Sequence, residues 1–285
     1  MLAGMIFIAE QHTGLPMFKS TFVAAFALLL LAGSAFAWGN EGHRIVALIA
    51  AQDLSPAAKN QIADLLESTD ATEAMERIST WADEIRPQRR DTAPWHYVDI
   101  EIGSAGYVAS RDCPNNDCVV GQVERDISIL KDRTLAKPVR AEALRFLIHF
   151  VGDMHQPLHC SDNHDRGGNQ VRVVLNGRTT NLHAVWDTPV VEALGGDPAT
   201  VAADLHSRIT PAERATWTKG TPEQWANECF AVAKRNVYAG LAGAGPTDAP
   251  IILPADYTAK AAPVVAEQLE RAGVRLAAVL NEVSQ

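Results

Sequence analysis

Apolar residues recur at helical spacing along most of the chain after residue 37. In residues 41–53, for example, Ile45, Leu48 and Ile49 fall on one face of a helix. Ser55 then offers a capping hydroxyl, and the proline after it suits a first helical turn. The same reasoning predicts helices over 41–53, 56–67, 72–85, 121–132, 139–154, 183–194, 222–241 and 263–283.

One segment shows the alternation of a strand instead. Residues 171–175 alternate in polarity, and Asn176-Gly177 after them is typical of a tight hairpin turn. The Gly-, Ala- and Pro-rich residues 240–254 predict a long loop within one domain. We therefore predict an all-α fold, a mainly helical single domain over residues 38–285 with at most a small β-hairpin.

The first 37 residues have the features of an export signal. Lys19 gives a basic start, residues 21–32 are apolar, and residues 35–37 form an Ala-Phe-Ala cleavage site. The apolar run is too short to span a bilayer comfortably, although an uncleaved anchor is the alternative. We expect Met17 to be the true start and the mature chain to begin at Trp38, secreted or periplasmic and free of the membrane.

The charge of the chain limits its partners. The first 37 residues carry one lysine and one glutamate, so the mature chain keeps the formal net charge of −9. This charge argues against a broad basic surface for duplex DNA. A nucleic-acid substrate remains compatible with it, because bound metal ions add positive charge locally.

The four cysteines indicate disulfides. An even count in an exported chain is typical of paired cysteines. Cys113 and Cys118, five residues apart, predict a small stapled loop, so Cys160 would pair with Cys229. The alternative is that some of these cysteines bind zinc as thiolates.

Histidine and aspartate form a repeated pattern that suits a metal. His149 and Asp153, and again His183 and Asp187, are four residues apart, so each pair points the same way from a helix. His159 lies between the two pairs. Imidazole and carboxylate groups together suit zinc, and the joint pattern is hard to explain as ordinary core or surface.

Further candidate ligands lie earlier in the chain. His43, His96 and Asp83 have the same chemistry. A mature N-terminus at Trp38 would add an α-amine and its carbonyl oxygen, which can chelate zinc because an amine with a pKa of about 8 loses its proton to a competing metal. The alternative for Trp38 is a core aromatic residue.

Six short motifs follow one another between residues 38 and 187. They are Trp38-Gly-x-x-Gly-His43, Trp81-Ala-Asp83-x-Ile-Arg86, Trp95-His96-Tyr97-x-Asp99, His149-x3-Asp153-x-His-Gln-Pro-x-His159, Gly167-Gly-Asn169 and Asn181-Leu-His183-x-x-Trp-Asp187. Together and in this order they resemble the motifs of the zinc-dependent single-strand-specific nucleases, or type I nucleases. That family shares a helical fold with the bacterial zinc-dependent phospholipases C.

The resemblance implies three zinc ions, each held by histidine and aspartate. The first set would be Asp83, His96, His149 and Asp153; the second Trp38, His43 and a bridging Asp153; and the third His159, His183 and Asp187. It also implies hydrolysis of single-stranded DNA and RNA to 5′-phosphorylated products, with 3′-nucleotidase activity on 3′-nucleotides. We expect no obligate protein partner and a monomer.

The chemistry gives further residues their expected roles. Zinc lowers the pKa of bound water to near neutrality, so hydroxide becomes available for attack on phosphorus. We expect Asp83 and Asp153 to be catalytic as metal-holding carboxylates and Arg86 to stabilise phosphate oxygens. Tyr97 would stack an unpaired base, worth about 1–3 kcal/mol, unless it is a core residue, and Asp99 would accept from the base edge.

Asn169 is a further candidate for the site, and two alternative functions of the protein stay open. Asn169 would hydrogen-bond a phosphate or orient a ligand. A phospholipase C acting on choline lipids is the alternative with the same fold and metals. A non-catalytic zinc-sequestering protein is the alternative of another class.

Overall fold

The computed structural model describes Met1 and residues 38–241 and 249–285. The expected export signal and the start at Met17 lie outside the described residues. In chain order the helices are α1 (Asn40–Gln52), α2 (Pro56–Leu65), α3 (Ala71–Ile78), α4 (Trp81–Ile85), α5 (Ala109–Asp112), α6 (Val119–Lys131), α7 (Lys137–Asp153), α8 (Leu182–Asp187), α9 (Pro189–Glu192), α10 (Pro198–Arg208), α11 (Pro211–Trp217), α12 (Pro222–Val232) and α13 (Tyr257–Glu282). Short 3₁₀ helices are Arg90–His96, Pro114–Asn116 and Pro157–His159, and a π-helical turn is Ala233–Tyr238.

The predicted all-α fold is confirmed, with a small sheet beside the helices. Strands β1 (Arg172–Leu175) and β2 (Arg178–Asn181) form the predicted antiparallel hairpin. A third strand, β3 (Ile251–Ile252), pairs in parallel with β1 within the region predicted as loop. The sheet order is therefore β2-β1-β3. None of the described helices has both the length and the apolarity needed to cross a membrane.

A capping residue followed by proline begins several helices. Ser55 accepts a hydrogen bond from the amide of Ala58 before α2, as predicted. Thr210 and Glu213 form a complete capping box at the start of α11. The sequence prediction contains no helix between residues 195 and 221, where α10 and α11 lie. Both are short, so few apolar repeats mark them and the caps are the stronger signal.

Two predicted helices are each divided in the structure. The predicted helix over 72–85 is interrupted at Ser79, whose hydroxyl bonds to the carbonyl of Glu76 at 2.8 Å. The predicted helix over 183–194 is interrupted at Thr188, because the proline after it has no amide hydrogen for a helical bond.

Close packing of α1 on α13 anchors the helical core. Both helices bury most of their apolar faces, and α1 also packs against α3, α7 and α10. Gly273 of α13 faces Ile49 of α1, and a Cβ added there would lie 2.3 Å from the Ile49 Cγ2. The absence of a side chain at Gly273 therefore sets how closely the two helices approach.

The cysteines differ in part from the prediction. Cys113 and Cys118 form a disulfide across the loop after α5. Cys160 and Cys229 are free, buried thiols, so the predicted bond between them is not formed in this structure. The thiol of Cys160 instead bonds to the carbonyl oxygen of Met154 at 3.2 Å. Neither free thiol belongs to any candidate metal group among the described residues.

Gly273→Ala should destabilise the fold although alanine is the better helix former. The gain in helix propensity is about 0.5–1 kcal/mol, whereas overpacking against Ile49 costs about 1–3 kcal/mol. Chemical denaturation measures the difference. Gly240→Ala, where an added Cβ meets nothing within 4 Å, is the control. The double variant Ile49→Ala/Gly273→Ala should lose less stability than the two single losses added together; strict additivity would contradict the close contact.

Candidate functional site

Helix α7 places two wholly buried ligands at the centre of the site. His149 and Asp153 lie on the same face of its last turns. His43, from α1, stacks on His149 with ring centroids 3.8 Å apart. Gly152 makes room for this ring, because a Cβ there would lie 2.9 Å from the His43 Nδ1.

Three groups of buried side chains bring possible ligand atoms within 4.8 Å of one another. Histidine and aspartate supply all of them. The groups are His43 with His149 and Asp153; Asp83 with His96 and His149; and His159 with His183 and Asp187. All eight predicted side-chain ligands are thus brought together, from α1, α4, α7, α8 and the two 3₁₀ helices that end at residues 96 and 159.

Backbone carbonyls fix the protonation of three of these histidines. The Nδ1–H of His149 donates to the carbonyl oxygen of Ser79 at 2.7 Å. His159 donates in the same way to His96 at 2.7 Å, and His183 to Gly167 at 2.6 Å. A proton held on Nδ1 leaves the Nε2 lone pair free to bind a metal. The carbonyl of Ser79 is free for this role because the helix is interrupted there.

The unsatisfied polar atoms test whether the residues fit a cation. Buried polar atoms are nearly always paired in folded proteins. Among the described residues, ten buried side-chain atoms have no hydrogen-bond partner, and six of them belong to this site. The six are His43 Nδ1 and Nε2, Asp83 Oδ1, His96 Nε2, His149 Nε2 and Asp153 Oδ1.

The third group gives the same result by geometry. The Nε2 atoms of His159 and His183 face each other at 3.1 Å. Because both Nδ1 atoms donate to carbonyls, neither Nε2 of the neutral rings carries a proton to donate. Two facing lone pairs repel, and a cation near both would remove the conflict. The donor set therefore fits a metal such as zinc.

Charge distribution also favours a cation at the first two groups. Burial opposes the protonation of His149, but the carboxylates of Asp153 and Asp83 outweigh it and raise the pKa of His149 to about 9. The pKa of Asp153 lies well below its ordinary value despite burial, because His149, His43 and His96 surround it. The pocket is thus strongly negative and stabilises added positive charge.

The third group holds neutral imidazoles. Burial lowers the pKa of His159 to about 3 and that of His183 to about 4. Burial also raises the pKa of Asp187 well above its ordinary value. The side-chain amide of Gln156 donates to Asp187 Oδ1 at 2.6 Å, while Asp187 Oδ2 lies 3.5 Å from His183 Nε2. Gln156 thus directs one carboxylate oxygen toward the neighbouring imidazole.

Trp38 is buried beside this centre. Its indole Nε1 donates to the carbonyl oxygen of Gly152 at 2.8 Å. Gly152 immediately precedes Asp153, so the indole ties residue 38 to the end of α7 that carries the shared carboxylate. The amide of Gly39 donates to the carbonyl of Asp187 at 2.7 Å. The backbone at residue 38 is thereby held close to two ligand-bearing helices.

Arg86 lies at the edge of the candidate ligands. Its guanidinium is 3.3 Å from Asp83 Oδ1, and its side chain is 24% exposed. Its positive charge also acts on Asp187, where it opposes the rise in pKa. This location between the first and third groups suits a residue that would contact phosphate oxygens.

Tyr97 and Asp99 lie just after the candidate ligand His96 in the chain, close enough for the charge of Asp99 to act on Tyr97; these two residues together are called the base pocket. Tyr97 is 40% exposed, so it is not the core residue of the alternative reading. The pKa of Asp99 is raised to about 6, chiefly because its carboxyl group is partly removed from water and secondly because Asp162 is negatively charged nearby. Asn169 lies in the nearby loop, where its side-chain amide donates to the carbonyl of Arg166 at 2.9 Å.

Several functional contacts were not anticipated from the sequence. The carbonyls of Ser79 and Gly167 and the missing side chain of Gly152 leave no side-chain signal in a single sequence. Gln156 offered one, since it lies between two predicted ligands in the His-Gln-Pro-Leu-His stretch.

Comparison with known proteins agrees with this geometry. The S1/P1 Nuclease family model matches residues 38–285. Nuclease S1 of Aspergillus oryzae is 32% identical over 284 residues, covering 90% of this chain and 96% of that protein. Endonuclease 2 of Arabidopsis thaliana is 31% identical over 279 residues, covering 90% of this chain and 93% of that protein. Nuclease P1 of Penicillium citrinum is 30% identical over 268 residues, covering 86% and 97%.

Asp99→Asn should stabilise the metal-free protein at pH 7.5 but not at pH 4. Folding raises the pKa of Asp99 from an ordinary 3.8 to about 6, so the folded state binds more protons between these values. The stability contributed by this group therefore falls as pH rises through that window and stays reduced above it. Solvent screening limits the gain to about 1 kcal/mol, or about 2–4 °C in Tm.

Thermal melts in the presence of chelator measure this effect without zinc loss as a confounding factor. Glu192→Gln removes an exposed carboxylate elsewhere and serves as the control. An equal gain for Asp99→Asn at both pH values would contradict the raised pKa.

Proposed function

The chain belongs to the S1/P1 nuclease family and is a single-strand-specific endonuclease that hydrolyses phosphodiester bonds, and we propose that it uses three zinc ions to do so. The products are 5′-phosphorylated nucleotides, and 3′-nucleotides are also substrates. The mature protein is exported, begins at Trp38 and acts as a monomer. Family membership favours this activity over a phospholipase C.

One observation carries the proposal: three groups of buried histidine and aspartate bring possible ligand atoms within 4.8 Å of one another, and in the first two groups several of these atoms have no hydrogen-bond partner. Structural zinc sites usually have four Cys or His ligands that close the coordination shell. Here each group mixes imidazole with carboxylate, and the third has only three side-chain ligands. Such sets leave room for water or substrate oxygen, as catalytic zinc sites do.

The side chains divide the metal ions among themselves as follows. Asp153 lies 3.3 Å from His149 Nε2 through Oδ2 and 3.4 Å from His43 Nε2 through Oδ1. Its two oxygens therefore face different histidines, so Asp153 would serve both of the first two groups. Asp83 and His96 would complete the first group, and the α-amine and carbonyl oxygen of residue 38 would complete the second. His159, His183 and Asp187 would hold the third ion.

Zinc bound in these sites supplies Lewis acidity and a water of lowered pKa. The residues of the chain orient the substrate around that chemistry. Arg86 contacts equatorial phosphate oxygens as negative charge develops on them, which is worth most in a partly desolvated site. Tyr97 stacks the base next to the scissile bond, and Asp99 accepts from its edge. The side-chain amide of Asn169 donates to the carbonyl of Arg166 and so stiffens its own loop, beside the third ligand group.

The requirement for single strands follows from the depth of the ligands. His149 and Asp153 have no exposed surface, and His159 and Asp187 have almost none. A phosphate must enter a recess while its base turns aside onto Tyr97. A paired and stacked base cannot make that turn without loss of its pairing energy, a few kcal/mol. Unpaired strands avoid this loss.

The processed protein should degrade denatured DNA and RNA faster than duplex and should lose that activity in chelator. Zinc should restore it, and mass spectrometry should find 5′-phosphates on the products. A second form with one glycine before Trp38 cannot chelate through the residue 38 amine, so it should bind less zinc and lose about 10–100-fold in activity. Equal zinc content and activity in both forms would remove the terminus from the ligand set.

Arg86→Ala should keep full zinc content yet lose about 10²–10³-fold in kcat, the loss typical for removal of one stabilising donor. Arg90→Ala, at an exposed position a short way along the chain, is the matched control and should retain activity. Zinc analysis beside the nuclease assay separates the two effects. Retained hydrolysis in Arg86→Ala would contradict its role, and activity in the wild type excludes a purely zinc-sequestering protein.

A further inference from the structure

Arg166 is an exposed arginine beside the base pocket that the proposed reaction leaves without a role. Its positive charge acts on both members of the pocket and opposes the raised pKa values of Tyr97 and Asp99. Among the described residues, no carboxylate lies within salt-bridge distance of its guanidinium. A cation of this kind is available to a ligand in the pocket.

The loop around Arg166 is held tightly by hydrogen bonds. The amides of its two neighbours, Asp165 and Gly167, both donate to Asp162 Oδ1 at 3.1 Å. The buried Asp165 accepts from Tyr238 at 3.1 Å and from Gly168 at 2.8 Å. Arg166 itself adopts a left-handed backbone with φ 59°, uncommon for a non-glycine residue. These bonds determine where its side chain begins.

The same loop is joined to the segment that carries Tyr97 and Asp99. The amide of Asp162 donates to Ile100 at 2.9 Å, and Ile102 donates back to Asp162 at 2.9 Å. Asp162 thus pairs with the strand-like segment after Tyr97 and clamps the Arg166 loop at the same time. The carbonyl of Gly167 receives the Nδ1–H of His183. Arg166 is therefore fixed relative to both the base pocket and the third ligand group.

The pocket presents one acceptor and one donor around an aromatic face. A carboxylate at Asp99 accepts two N–H bonds, and the guanidinium fork of Arg166 donates two parallel bonds to adjacent acceptors. Guanine offers both complements on one ring system: N1–H and N2–H as donors, and O6 and N7 as acceptors. Adenine and cytosine offer one exocyclic amino group and no ring N–H on this edge, and thymine offers one ring N–H and no exocyclic donor.

We propose that Arg166 and Asp99 together select guanine as the base stacked on Tyr97, with Arg166 donating to O6 and N7 and Asp99 accepting from N1 and N2. The inference deepens the proposed nuclease function and rests on it. It makes Arg166 a specificity residue of the base pocket. Phosphate contact belongs instead to Arg86, whose guanidinium lies at the ligand Asp83.

Dinucleoside monophosphates XpT, with X as each of the four deoxynucleosides, test the selection. Cleavage adds water at phosphorus, breaks the bond to the 3′-oxygen of X and releases X and 5′-phosphorylated thymidine. We expect kcat/KM for GpT to exceed the other three by about 5–150-fold, the range for one good bidentate pair. The substrates with inosine, which lacks N2, and 7-deazaguanine, which lacks N7, should each lose part of the preference.

Variants assign the preference to its residues. Arg166→Met should reduce kcat/KM for GpT to the value for the other substrates. Replacement of guanine by 7-deazaguanine should then leave its kcat/KM unchanged. Arg166→Lys keeps the charge without the planar fork, so it should keep only part of the preference for GpT. Asp99→Asn should cleave the guanosine and inosine substrates with the same kcat/KM, because its side chain no longer reads N2. Arg178→Met, at an exposed position on β2, is the control and should keep the wild-type preference.

The outcomes separate this inference from the proposed function. Equal kcat/KM for all four substrates in the wild type would overturn guanine selection and leave the nuclease function intact. An equal loss on all four in Arg166→Met, with unchanged Tm, would make Arg166 a phosphate contact and also overturn it. Calorimetric binding of 5′-GMP against 5′-AMP in chelator gives a second readout without catalysis; no preference for GMP there would contradict the proposal even if no substrate were cleaved.

Discussion

The buried carboxylate of Asp153 imposes the requirement that shapes this site. A charged group removed from water costs several kcal/mol unless positive charge or donors surround it. Three imidazoles surround Asp153, from His43, His96 and His149. His149 directs its Nδ1–H to Ser79, so its Nε2 offers Asp153 only a lone pair, whereas His96 Nδ1 lies 3.0 Å from Asp153 Oδ2. One neutral hydrogen bond does not balance a buried charge, so the carboxylate favours a protonated ring or a cation. The pKa of His149 is high because the neighbouring carboxylates Asp153 and Asp83 favour its protonated form.

The backbone supports the ligands at the expense of regular secondary structure. A helix that continued through Ser79 would use its carbonyl in the helical ladder. The break between α3 and α4 leaves that carbonyl for the Nδ1–H of His149. Gly167 does the same for His183 from a loop with left-handed backbone. Each interruption removes a little local stability, and each fixes which nitrogen of a ligand is free.

The sequence predicted the parts of the site that depend on helical periodicity. His149 and Asp153, and His183 and Asp187, share a face because four residues make about one turn. Periodicity cannot say which helices meet, so the convergence of His43, Asp83 and His96 on the same centre came from the family resemblance. The helix breaks at Ser79 and Thr188 were missed because tertiary contacts and the start of a new helix outweigh a continuous apolar pattern.

Other differences have equally local causes. The thiols of Cys160 and Cys229 were paired by elimination, which gives no geometry; the structure brings the two buried thiols within hydrogen-bonding reach but leaves them free. Strand β3 consists of two residues, too short for any alternation to indicate it. Asn169 at a phosphate or a ligand stays a prediction; in this structure its side-chain amide donates to the carbonyl of Arg166. A side chain with several polar partners in reach is poorly placed by sequence alone.

A protein of net charge −9 can act on a polyanion if its positive charge is confined to the site. Without a broad basic surface, nonspecific attraction to duplex phosphates is weak. In the proposed function, positive charge would be concentrated instead at the metal ions and at the guanidinium groups beside them. A strand is then held only where a phosphate enters the recess and its base leaves the stack together. Selectivity for unpaired nucleic acid follows from this coupling, because a duplex gains little affinity at the surface to offset the cost of opening.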